Sequence, residues 1–270
     1  GTPKYRTFND TASPWGVEGS ATSVGANPIE WIRVAAAPSK DQWIIATKDN
    51  ANQIVAQVCT GTATAVSCGT ATTIVVLGGP VNGINGTRNF DVAYEKSTGH
   101  ALLVYGTSTA DTLRKIQFDG ISTWFNDTAI TTSTTGTVEW VELTSRPLSN
   151  QIGIAYSDSN NDVNAFRWNG RDVANQATGT GITTDAATNN VRKFDISFEG
   201  ISGDMVVLAP LSAATTTAIG TLVGDTWSIP AEDTNPDRTT AFMDIAEPDI
   251  STNQLAYFGH STITSNVGEG

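Results

Sequence analysis

The sequence predicts an all-β fold, a β-propeller of five four-stranded antiparallel blades, on three observations. A strand-turn-strand pattern recurs at a spacing near 50 residues. The chain is rich in Thr, Asn, Ser and Gly, with only two His, two Met and two Cys, which favours strands and turns. No segment carries the 3.6-residue hydrophobic period of an amphipathic helix.

The repetition is specific. Five alternating first strands precede apolar second strands across short Ser/Asn/Gly turns: 32–35 with 43–46, 90–93 with 101–104, 141–144 with 152–155, 194–197 with 205–208, and 243–246 with 255–258. Each first strand holds one polar residue, Arg33, Asp91, Glu142, Asp195 or Asp244, at intervals of 58, 51, 53 and 49 residues. A third strand ending in a Gly-containing turn follows, as at 114–120 and 164–170, and a fourth often opens with Trp, as at Trp124 and Trp227. Four short antiparallel strands at this period are the signature of a propeller blade.

The repeats divide one domain, 1–270, roughly into 21–82, 83–130, 131–182, 183–234, and 235–270 plus 1–20. In the last of these, residues 4–10 and Trp15 read as third and fourth strands that complete the blade begun at 243–258. Such closure ties the termini together and removes open sheet edges. Residues 263–270 compete for the third-strand place, so six blades, or part of a longer array, are the alternatives.

Charge excludes two classes of partner. With 15 Lys+Arg against 27 Asp+Glu the net charge is -12, and no basic run offers a surface for nucleic acid or anionic lipid. No apolar stretch approaches the roughly 20 residues that span a bilayer, so direct membrane insertion is not expected. Nor does the start of the sequence show a signal-peptide pattern, which places any export signal outside these residues.

The segments 139–143, 157–165 with 167–170, and 90–95 resemble repeats of large secreted or surface-anchored prokaryotic proteins, in which a "WVxLAxxP…SDSNNDxNAxxWNG" unit alternates with an "FDVAYExxSGxALVVY" unit. The resemblance implies an extracellular or surface β-repeat protein and no established chemistry. The fourth and fifth repeats depart most, where Thr215-Thr216-Thr217 and Ser261-Thr262 replace the Asn/Asp-rich hairpin.

The inner column is the main functional candidate. Rotation about a propeller axis brings Arg33, Asp91, Glu142, Asp195 and Asp244 into a ring at one height, where four carboxylates repel unless hydrogen-bonded, bound to a cation or offset by Arg33. An acid recurring in nearly every blade suits inter-blade acceptance of backbone N–H groups; a bound ion and glycoside hydrolysis by a carboxylate pair are the other readings. Asp158, Asn160 and Asp162 place oxygens at alternate positions, as calcium loops do, but they lack the Gly and Glu of such loops and also fit an Asx-rich turn. Cys59 and Cys68 lie where other repeats have Phe118 and Trp124, or Phe8 and Trp15, which suits a disulfide in an oxidising compartment, with two free thiols as the alternative.

Among the aromatics, Trp15, Trp124 and Trp227 lead outer strands, where they serve as core packing or as a sugar-stacking platform. His100 and His260 sit in non-equivalent places and read as turn or surface residues. Asn9, Asn85 and Asn126 begin Asn-x-Thr sequons that mark surface loops and candidate glycosylation sites. Together these features lead us to expect a non-catalytic extracellular recognition or adhesion module that binds a surface glycan or protein through loops such as 131–136 and 179–190. The alternatives are a structural subunit of a surface filament or coat, assembling with copies of itself, and a glycosidase using the inner carboxylates. No cofactor is expected beyond calcium at the Asp158 turn.

Overall fold

The structure, a computed structural model, describes residues 1–8, 15–62, 65–75, 87–107, 110, 112–132, 135–174, 181–186, 192–212, 216–234, 240–245, 251 and 255–261. The hairpin of β1 (Lys4–Tyr5) and β2 (Gly19–Ser20) is extended by a bridge between Phe8 and Trp15. A first full sheet follows, ordered β3 (Ile29–Ala36), β4 (Gln42–Asp49), β5 (Ile54–Thr62) and β6 (Ala65–Cys68), with β7 (Thr72–Val75) also on β5.

The second sheet runs β8 (Phe90–Tyr94), β9 (Ala101–Gly106), β10 (Thr112–Phe118) and β11 (Trp124–Thr131). The third runs β12 (Val138–Ser145), β13 (Ile152–Asp158), β14 (Val163–Trp168) and β15 (Val173–Ala174). The fourth is β16 (Asp195–Phe198), β17 (Met205–Pro210), β18 (Thr216–Val223) and β19 (Thr226–Thr234), and β20 (Thr240–Ile245) pairs with β21 (Tyr257–Ser261). Every ladder is antiparallel, and all but β5–β7 join sequence neighbours, as the repeat pattern predicts.

The sheets stack through their first strands: β3 packs beside β8, β8 beside β12, β12 beside β16, and β16 beside β20. This blade-on-blade stacking explains the near-continuous apolar runs, because a sheet covered on both faces has no side to leave polar. Hence β8, β9, β13 and β14 are buried throughout. Three cores lie between successive sheets. Ile44, Ile54, Phe90 and Tyr105 fill the first; Val104, Leu113, Val141 and Tyr156 the second; Ala165, Phe194, Phe198 and Met205 the third.

One register position repeats around the outside. Where the third strand meets the fourth, the facing pairs are Cys59–Cys68, Phe118–Trp124, Trp168–Val173 and Leu222–Trp227, and the bridge Phe8–Trp15 takes the same place. The cysteines form a disulfide there, and the aromatic pairs meet at ring-centroid distances of 5.1 Å for Phe8–Trp15 and 5.2 Å for Phe118–Trp124. The sequence equivalence of the cysteines with these aromatic pairs is therefore a spatial one.

The chain ends form two short hairpins. Among the described residues β1–β2 and β20–β21 are separate two-stranded sheets rather than one composite blade. The N-terminal hairpin lies against the first sheet, with Tyr5 packed on Ala21, Ile45 and Cys59, and Thr22 N–H donates to the Gln57 side chain at 2.9 Å. Residues 9, 85 and 263–270, and parts of 131–136 and 179–190, lie outside the described residues.

The turns between strands are fixed by glycines with positive φ. Gly120 (φ +75) closes the turn after β10, where a Cβ would stand 2.5 Å from the Gly99 carbonyl oxygen, whereas at Gly99 itself (φ +74) a Cβ meets nothing within 4 Å. Both substitutions carry the left-handed penalty of roughly 1–2 kcal/mol. Gly120→Ala adds a backbone clash and is expected to cost at least about 1 kcal/mol more than Gly99→Ala in urea unfolding; equal losses would show that the close approach does not matter.

Candidate functional site

The five polar residues of the inner column do come together at the axis, one on each of β3, β8, β12, β16 and β20. The sequence reading missed their compensation. Arg88 and Arg192 each lie three residues before an inner aspartate, in the matching runs Arg88-Asn89-Phe90-Asp91 and Arg192-Lys193-Phe194-Asp195. Both runs lead into first strands, so the repetition was a readable signal.

Asp91 is fully buried and linked to three sheets. Arg33 approaches its two oxygens at 2.6 and 3.0 Å, Arg88 lies 3.7 Å away, and Leu143 N–H of β12 donates to it at 2.9 Å. Asp195 repeats the arrangement one unit on: Arg192 pairs with it at 2.8 Å, and Ile245 N–H of β20 donates to it. Glu142 lies between Arg88 at 3.2 Å and Arg192 at 3.3 Å, and Arg192 also reaches Asp244 at 3.1 Å. Three guanidiniums thus face four carboxylates. The expected inter-blade acceptance of backbone N–H groups is present for Asp91 and Asp195, while Glu142 is held by cations instead.

Arg88 binds the neighbouring sheet by backbone as well. Val141 N–H donates to its carbonyl at 3.0 Å, its side chain donates to the Val141 carbonyl at 2.9 Å, and its guanidinium lies 4.4 Å from the centre of the Trp140 ring. Trp31 meets Trp140 edge-on at 5.4 Å. These groups line an open axial cavity of about 160 Å³ together with Ile32, Arg33, Glu142 and Arg192. Trp140 Nε1 and Arg88 Nε are buried beside it without a hydrogen-bond partner.

Glu142 is the only inner carboxylate lining that cavity among the described residues. Burial pushes its carboxyl up to about 7, against the pull of Arg192 and Arg88. Burial also raises Asp195, opposed by the Ile245 N–H and by Arg192. Glycoside hydrolysis needs two carboxyl groups flanking one bond, and this cavity presents one.

A second cavity, of about 540 Å³, opens at the turn end of the inner strands and shares Arg33 with the first. Its wall combines Pro38, Tyr94, Pro147 and Leu148 with Lys96, Thr144 and Ser145. Lys96 is exposed, and a third of the Arg33 side chain is open to solvent. No sequence pattern marked this mouth, because its residues come from three separate strand-to-turn junctions.

The other candidates separate. Asp158, Asn160 and Asp162 form a tight turn in which Asp158 Oδ1 accepts the N–H groups of Asn160 at 2.9 Å and Asp162 at 3.0 Å, and Oδ2 accepts Gly136 N–H at 3.1 Å. Asp49 accepts from Ala51 and Gln53 in the same way, and Asn52 and Asn161 take the left-handed backbone these turns require. This is Asx-turn geometry. Trp124 packs on Phe118 and Trp227 against the core between the third and fourth sheets, while Trp15 is 62% exposed. Asn126 is exposed in a bulge of β11, and His100 is exposed. The side chain of His260 lies outside the described atoms.

Neither known protein families nor curated proteins give a match to this chain. Among solved structures it is similar to the BP39L lectin from Burkholderia pseudomallei, with a TM-score of 0.60 at 12% identity over 87% of this chain and 65% of that one. It is also similar to AofleA from Arthrobotrys oligospora, with a TM-score of 0.52 at 10% identity over 93% of this chain and 71% of that one. A lectin from Aleuria aurantia, described as a six-bladed β-propeller, scores 0.49 at 13% identity over 91% and 77% of the two chains, too low to bear on blade number here. The chain spans less than two thirds of the BP39L lectin's length. At these identities the likeness concerns the fold alone.

The buried Glu142 carries a consequence for stability. Its folded-state value, about 7, exceeds its ordinary 4.5, so between those values the native state holds a proton that the unfolded chain releases. The contribution is full below about 4.5 and is lost as pH rises through about 7, by up to about 3 kcal/mol. Denaturant midpoints of the natural protein relative to Glu142→Gln should fall over that window; a difference independent of pH would show that Glu142 stays ionised throughout.

Proposed function

We propose that the chain is a non-catalytic extracellular recognition module that binds glycan at the mouth of its axis. The observation that carries this reading is the state of the inner carboxylates: each is held by a guanidinium or a backbone N–H, and a single one reaches the axial cavity. What faces solvent at the mouth is a donor set, Arg33, Lys96 and Thr144, beside the apolar Pro38, Pro147 and Leu148. Sugars are recognised by this combination of polar donors for hydroxyls and flat apolar surface for C–H faces.

Two further facts support the reading. The fold is shared with a bacterial lectin, and the Cys59–Cys68 disulfide suits an oxidising, extracellular setting. Adhesion at a cell surface is the role consistent with both. Hydrolysis is the competing reading, and it requires a second carboxylate at the cavity.

A glycan array tests the proposal. The protein should retain a defined subset of glycans, release none of them as hydrolysed product, and lose about tenfold or more in affinity on Lys96→Ala, the scale of one charge-assisted hydrogen bond. An empty array, or affinity indifferent to Lys96→Ala and Leu148→Asp, would remove this site. Turnover of a glycoside abolished by Glu142→Gln would replace recognition with catalysis.

A further inference from the structure

The first sheet has a face that its equivalents bury. Ile29 to Cys59 aligns without a gap on Val138 to Trp168, from Trp31 with Trp140 through Pro38 with Pro147 to Asp49 with Asp158. In the third sheet Val141 and Leu143 are 0% and 8% exposed; their equivalents Ile32 and Val34 are 45% and 59% exposed. The difference is what stands in front. Against β12 lies the hairpin β8–β9, whose Arg88 carbonyl accepts Val141 N–H and whose Asp91 accepts Leu143 N–H. Among the described residues no such hairpin stands in front of β3.

The units alternate, and the alternation defines what kind of hairpin fits the face. The second and fourth sheets carry the Arg-x-Phe-Asp lead-in and open their fourth strand with Trp, at Trp124 and Trp227. The first and third carry the receiving strand, with a bulge near its start, between Ile29 and Trp31 and between Val138 and Trp140. β20 has the same bulge, between Thr240 and Phe242, and receives the Asp195 carboxylate; it belongs to the receiving kind. The hairpin β1–β2 has Phe8 and Trp15 in the Phe118–Trp124 relation, so it is the outer half of the donating kind.

That outer half already flanks the uncovered face. Tyr5, Phe8, Ile32, Val34, Ala36, Trp43 and Ile45 line a groove of about 450 Å³ between them. The geometry points to a docking surface for one occupant: a β-hairpin of the Arg-x-Phe-Asp type from another polypeptide segment, laying its apolar face on Ile32 and Val34 and its aspartate on Val34 N–H. The motif occurs twice in this sequence, and both copies are engaged by the sheet that follows their own. This inference is independent of the glycan reading.

The test adds a peptide of residues 87–107, the chain's own donating hairpin, to the intact protein. Saturable binding with a higher melting temperature is expected, weakened about tenfold or more by Asp91→Asn in the peptide and abolished by Val34→Lys in the protein. The same hairpin joined ahead of Gly1 by a flexible linker removes the entropic cost of association and should slow hydrogen exchange at Val34 to the rate of Leu143. Three results overturn the inference: no stabilisation by either the free or the tethered hairpin, slow Val34 exchange in the isolated monomer, which means that β20–β21 closes the ring, or a dimer in sedimentation whose interface protects Ile32 and Val34.

Discussion

The carboxylate of Asp91 holds three successive sheets in register. It has no contact with water, yet it accepts from Arg33 on the sheet before it and from Leu143 on the sheet after it, with Arg88 of its own sheet alongside. A buried carboxylate left without such partners would cost several kcal/mol. The network therefore sets how adjacent sheets rotate about the axis as well as keeping them together, since only one rotation brings both the guanidinium and the amide to the same two oxygens. Asp195 repeats the device with Arg192 and Ile245, and Glu142, between two arginines, links the units.

Around this polar axis the sheets contribute the apolar area. None of them has a core of its own, for each buried cluster is shared by two neighbours. Stability of this kind is a sum over interfaces, as in other repeat proteins. The outermost sheet faces are the weakest members, which is why β3 reads as alternately half-buried and exposed while β8 is buried at every residue.

Much of this was legible in the residues. The inner column could be read because one polar residue interrupts each apolar first strand at a regular interval, and the outer Cys59–Cys68 pair because it replaces aromatics at a fixed place in the repeat. The arginines ahead of the strands that pair with the column were harder to see. They lie ahead of the strands, at positions where strand periodicity says nothing, and only the doubled Arg-x-Phe-Asp run marks them. The axial mouth was not legible at all, since Arg33, Lys96 and Ser145 are brought together by rotation between sheets. The joining of the two chain ends into one blade was inferred from strand order alone; the exposure of Ile32 and Val34, which speaks to the kind of neighbour that β3 needs, is a property of the folded chain.

The pair Cys59–Cys68 has one more consequence. Four of the five outer-strand pairs at that register are held by side chains indifferent to electrons, and one is held by a covalent bond. Closing so short a loop restrains the unfolded chain by about 2–3 kcal/mol. Cys59 is packed with Tyr5, Trp43 and Ile45, so the restraint acts on the first sheet where the N-terminal hairpin rests. Among the five pairs the first sheet's is thus the one open to thiol chemistry, and it lies in the same sheet as the exposed Ile32 and Val34.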